Sequence, residues 1–128
     1  MAEMSNFLEN ALLNATLNAT TYTAPANIYV SLWTSDPTDA GSGTEVSGGS
    51  YARTSVTFAA PSNGASASNA DCTFPTCTST WGTVSHIGIF DASTSGNLLY
   101  HTPLDTSKTI ETGDIFKIAS GSLTVTLA

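Results

Sequence analysis

"IYVSLWT", residues 28 to 34, is the stretch at which the chain changes its period. Ile28, Val30 and Leu32 fall on one face of an extended backbone, and Tyr29, Ser31 and Trp33 on the other. Successive side chains of a strand point to opposite faces, so this alternation predicts a strand with one face on a core. The same period returns downstream. "YARTSVTF" (51–58) puts Ala52, Thr54, Val56 and Phe58 on one face, and "TVSHIGIFDA" (83–92) turns Ile87 and Ile89 inward. "LLYHTPL" reads as a strand ended by Pro103, followed by "TSKTI", "IFKI" and "SLTVTLA". "DCTFPT" is a short strand stopped at Pro75.

Between these runs lie "SDPTDAGSGTEVSGGS", the loop or linker "APSNGASASNA" with its Asn-Gly turn signal, "TSGN" and "ETGD". Turn signals about every ten residues, separating about eight short strands, point to an all-β domain. Nothing helical recurs between the strands, which argues against a parallel sheet. Antiparallel strands must close, stack or cover their edges, so the expected fold is an antiparallel β-sandwich, jelly-roll-like, occupying residues 1–128 as one domain.

Upstream of Pro25 the period is helical. Met4, Phe7, Leu8, Ala11, Leu12 and Ala15 recur at three- and four-residue steps, predicting one short N-terminal helix over 5–17. Asn6 is the expected N-cap, with Glu9 three residues on as its capping-box partner. So short a helix is marginal alone. Its apolar face must pack on its own sheet or on a neighbouring subunit. The helix and the sheet edges together lead us to expect a homo-oligomer, for instance a trimer.

Composition narrows the function. Charged residues make up 10% of the chain, against about 25% in an average domain. The net charge is −7, and the cations are Arg53, Lys108 and Lys117 alone. Nucleic-acid and anionic-membrane binding both need clustered Lys or Arg, so neither is expected. No apolar run reaches the ~18 residues of a membrane span. "MAEMSNFLEN" carries Glu3 and Glu9 and lacks a basic leader pattern, so cytoplasmic synthesis is expected. The sequons at Asn14 and Asn18 then read as polar helix-end residues.

No catalytic or metal motif assembles from the spacing. There is no G-x-S-x-G, and His86, His101 and Asp91 sit in strand patterns. Asp36, Asp39 and Glu45 resemble a calcium loop only in charge. Cys72 and Cys77 have C-x4-C spacing, unlike a zinc ribbon, and are expected to be thiols rather than a local disulfide. The expectation is a protein with no enzyme activity, cofactor or metal. Tyr29, Trp33 and Tyr51, with Phe7, Leu8 and Leu12 of the helix, are the candidate interface residues; Trp33 and Trp81 are equally candidates for core filling.

"GTEVSGGSYAR" (43–53) holds the lone arginine. A phosphate loop would need a lysine and a following helix, and here a glutamate sits in the loop and a strand follows. Gly48 and Gly49 are expected to make a tight turn with positive φ. Tyr51 and Arg53 share a face by alternation. Arg53 is expected to clamp a carboxylate in bidentate fashion, from Asp36, Glu45 or Asp91.

Three blocks carry a family resemblance: "SNFLENALLNATL", "LWTSDPTDAGSGTEVSGGSYARTSVTF", and "WGTVSHIGIFDASTSGNLLYHTPL" continuing to "SKTIETGDIFKIASGSLTVTL". Together they resemble a family of small tailed-phage virion proteins, of phage structural or tail-fibre-like type. The resemblance implies a place in the virion and brings no catalytic residues; the cysteines of "DCTFPTC" depart from it. A fibre shaft would show repeats, which this chain lacks. A small, acidic, Thr-rich β-domain suits capsid decoration (a cement protein), with the major capsid protein or another virion protein as partner. A tail-associated or fibre-like protein is the alternative, and a glycan-binding surface module the third reading.

Overall fold

The computed structural model describes residues 2–127. Along the chain run β1 (Glu3–Met4), α1 (Asn6–Leu17), β2 (Ile28–Trp33), β3 (Thr54–Val56), β4 (Ala65–Ala67) and β5 (Cys72–Thr73). They are followed by β6 (Gly82–Phe90), β7 (Leu98–Ile110), β8 (Lys117–Ile118) and β9 (Thr124–Thr126). One antiparallel sheet has the order β1-β7-β6-β2-β3, and β4-β9 and β5-β8 form two antiparallel ribbons. This is the antiparallel β-sandwich with one N-terminal helix that the alternation predicts.

The two central strands explain the layering. β2 and β6 pair Val30 with Ile89 and Leu32 with Ile87, so all four apolar side chains share one face. They join Val84, Cys72, Phe74, Trp81, Phe116 and Val125 in the main core, drawn from the sheet and both ribbons. The opposite face is also covered. Trp33, Phe90 and Leu98 form a second, smaller cluster there, with the Trp33 and Phe90 rings stacked at 6.1 Å. The Trp33 indole lies over the Ser31–Gly88 pair: its Nε1 donates to Ser31 Oγ (2.8 Å), which donates to the Gly88 carbonyl (3.0 Å). A Cβ on Gly88 would fall 2.8 Å from Leu98 and 3.1 Å from Trp33, so the close approach requires glycine.

Three elements differ from the sequence expectation. Pro103 does not end a strand: "LLYHTPL" and "TSKTI" are one continuous β7. Pro103 sits opposite His86, where the β6–β7 register shifts, and among the described residues β1 pairs with Tyr100 and His101. A residue without an N–H is tolerated at a bulge. The loop or linker "APSNGASASNA" turns at its Asn-Gly signal and runs on as strand: Asn63 and Gly64 both have positive φ, and Ser62 and Ala65 exchange backbone hydrogen bonds of 2.9 and 3.0 Å where β4 begins. The strand from 51 also starts late, so Tyr51 and Arg53 precede β3 rather than lying on it.

The helix cap moves by one residue. Ser5, not Asn6, is the N-cap, accepting from the Leu8 amide (3.2 Å), so Glu9 falls one position past the capping-box site. Ser5 Oγ also donates to the Leu98 carbonyl, and the Ser5 amide donates to Leu99 (2.9 Å). These bonds bind the helix start to β7 of its own chain. Leu8 is buried, while Phe7, Leu13 and Leu17 stay exposed.

Candidate functional site

The edge of β2 explains where the "EVSGGSYAR" block goes. β3 pairs with β2 only at Ile28, Tyr29 and Val30. Beyond Val30 the backbone of β2 needs other partners. The Leu32 amide donates to Tyr51 Oη (2.9 Å), and the Leu32 carbonyl accepts from Val46 (2.9 Å). Thr34 continues the edge by donating to the Thr44 carbonyl (2.9 Å).

Tyr51 then links this edge to Glu45 and Arg53. Its hydroxyl donates to Glu45 Oε2 at 2.6 Å. Arg53 grips the same carboxylate with both arms of its fork, Nε to Oε2 and Nη2 to Oε1, each at 2.9 Å. Glu45 is therefore the carboxylate among the three candidates. Arg53 Nη1 also donates to the carbonyls of Ala92 (3.1 Å) and Ser95 (2.7 Å), and the guanidinium lies 3.7 Å from the centre of the Phe90 ring. One side chain thus ties the 43–53 loop, the 92–95 turn and the second core cluster together. Burial, first, and the Glu45 hydrogen bond push the Tyr51 phenol far above its usual range, so it serves as a donor at any ordinary pH.

The glycine pair shapes the approach to Tyr51. Gly48, Gly49 and Ser50 all have positive φ. A Cβ on Gly49 would lie 2.2 Å from the Ser79 carbonyl, whereas one on Gly48 meets nothing within 4 Å. The Gly49 carbonyl accepts from Trp81 Nε1 (2.9 Å), and Trp81 meets Tyr51 edge-on at 5.5 Å. Both glycines are in the expected turn, and Gly49 has a packing requirement besides.

With this geometry in hand, the comparison with known families is decisive: the family model described as Podophage GP4 fiber I protein gp80 matches residues 3–126. The chain belongs to this fiber I family. No curated protein matches it. The matched span takes in the helix, the clamp and all the strands, so the clamp belongs to the region shared with the fiber I family.

Within this fiber I fold the other named residues separate. Trp33 and Leu8 are each 4% exposed, Trp81 likewise, so they fill the interior rather than anchor a partner. Tyr51 is committed to the clamp, and Tyr29 and Leu12 are half-buried. Phe7 is 41% exposed and is the one candidate interface residue that presents substantial surface. Alternation could not foresee this, because both faces of β2 are covered. No helix of the described residues is long and apolar enough to cross a membrane.

The titratable candidates part company too. Asp91 accepts from the Asn97 amide (2.7 Å) and side chain (3.0 Å), and His86 Nδ1 meets Ser85 Oγ (2.8 Å). Asp36 accepts from Thr38 N, Glu45 sits in the clamp, and Asp39 turns to His101 (2.7 Å), so the acidic loop does not converge as a calcium loop would. Cys72 and Cys77 are both buried free thiols, as expected. Missed from the sequence was the meeting of Glu3, Asp39 and His101, which come from three distant segments.

Proposed function

We propose that this protein is a non-enzymatic structural component of a podophage particle, of fibre type. The observation that carries the reading is the family match over residues 3–126, whose description names a fiber protein. It moves the tail-associated, fibre-like reading ahead of capsid decoration, which composition and the lack of repeats had favoured. The interior supports a structural role, since polar groups such as Tyr51, Glu45 and Arg53 are spent on holding loops to the sheet. This stretch builds a module rather than a shaft, because it carries no repeat.

The partner is another virion protein, and a homo-oligomer presents several copies of the module at once. Phe7, Leu13 and Leu17 give α1 exposed apolar surface for such a neighbour. Repetition on the particle then lets weak contacts act together. The test is to separate purified particles into head and tail fractions and quantify the chain by mass spectrometry. Enrichment with the tail supports the reading. Recovery with the head shell alone restores decoration, and absence from particles removes both.

A further inference from the structure

Among the described residues, one titratable cluster serves neither the clamp nor the main core. His101, on β7, is 5% exposed. Its Nε2 lies 2.7 Å from Asp39 Oδ1 and 3.9 Å from Glu3 Oε2, and its Nδ1 lies 3.8 Å from Asp36 Oδ1. The β1–β7 register places Glu3 directly opposite His101. The backbone of Asp39 is held by its carbonyl, which accepts from the Asn6 amide at 3.0 Å. One ligand atom each from Glu3, Asp39 and His101 lies within 4.8 Å of the other two.

Two features of this cluster suit a cation. The ring faces carboxylates at both nitrogens, with Asp39 within hydrogen-bond distance of Nε2 and Asp36 farther off from Nδ1. Among the described residues none of the three cations, Arg53, Lys108 and Lys117, forms an ion pair with Glu3, Asp36 or Asp39. A metal ion on the Nε2 side fits both features. Nε2 becomes a ligand, and the ring's single hydrogen sits on Nδ1 towards Asp36, the arrangement in which an outer carboxylate orients a metal-bound histidine.

We propose that Glu3, Asp39 and His101 bind one divalent transition-metal ion of the zinc class. One imidazole and two carboxylates form the mixed nitrogen and oxygen set that zinc accepts, with a coordination position left for water. Tetrahedral ligands about 2.0–2.1 Å from zinc stand roughly 3.4 Å apart. The observed 2.7 and 3.9 Å bracket that spacing, and the mostly solvent-exposed Glu3 side chain is free to swing inward. The ion would staple β1 and the 36–41 loop to β7, at the foot of α1.

The test titrates zinc alone into the untagged full chain, by calorimetry and by thermal unfolding. The expected result is one zinc per chain and a Tm rise on the order of 10 °C when free zinc is about 100 Kd. Glu3→Gln and Asp39→Asn alter exposed side chains, so circular dichroism can confirm that both variants fold. Each should weaken zinc binding about tenfold or more. No heat of binding with the folded wild-type chain overturns the site. Undiminished binding by both variants also overturns it, because the zinc then sits elsewhere, for instance at His86.

Discussion

Replacing Arg53 with alanine tests the clamp most sharply. The pair it forms with Glu45 is neither sealed nor open, with side-chain exposures of 10% and 22%. An exposed ion pair contributes about 0–1 kcal/mol, while breaking a buried one costs about 3–5 kcal/mol. This pair lies between those limits, at about 2 kcal/mol. The loop carbonyls of Ala92 and Ser95 lose their donor but can recruit water, which adds about 0.5 kcal/mol in all. Loss of the guanidinium over Phe90 adds about 0.5–1 kcal/mol. Arg53→Ala should therefore lower stability by about 3 kcal/mol, or Tm by about 10 °C for a chain of this length. The assay is urea unfolding followed by the fluorescence of Trp33 and Trp81, which are both buried. Glu45→Gln and the double variant complete a cycle. If the two residues act as a pair, the double variant loses less than the sum by about 1 kcal/mol or more. A loss of under about 0.5 kcal/mol for Arg53→Ala, in the range of an ordinary surface change, would refute the clamp.

Two further outcomes use the same assay. Gly49→Ala should cost about 2–4 kcal/mol, because its Cβ meets the Ser79 carbonyl in a strained backbone, whereas Gly48→Ala should cost only the positive-φ penalty of about 1–2 kcal/mol; equal losses would show that the close approach at Gly49 is relieved. Burial pushes the Cys72 thiol up to about 11 from its ordinary 9.0. The unfolded thiol thus ionises first, so this stabilisation is complete below about pH 9 and is lost between about pH 9 and 11, amounting to about 2–3 kcal/mol. Unfolding midpoints at about pH 8 and pH 10.5 should fall less in Cys72→Ala than in the wild type, and an identical fall would show that the thiol is not the group responsible.

How much of this was legible in the sequence depended on whether local pattern or distant contact decides each feature. β2 and β6 were legible because Val30, Leu32, Ile87 and Ile89 alternate without interruption. β4 was not, because Ala65, Ser66 and Ala67 carry no alternating signal and only the Asn63–Gly64 turn marked the place. Pro103 misled because its tolerance depends on a register shift that neighbouring residues do not reveal. Arg53 announced itself as the lone arginine, yet choosing Glu45 over Asp36 or Asp91 required the three-dimensional path of the loop. Trp33 shows the limit of reading alternation as inside and outside, since it packs with Phe90 and Leu98 on the second face as well. His101 was legible as a strand residue, but its acidic neighbours were not, because they lie far away along the chain.

The central claim, that this fold is a fibre-type part of a podophage particle, is tested most directly by a cryo-electron microscopy map of the intact virion. The expected result is density at the tail that accommodates the five-stranded sheet with the start of α1 held to β7, repeated with the symmetry of the tail. Density for this fold confined to the surface of the head, or found nowhere on the particle, would contradict it.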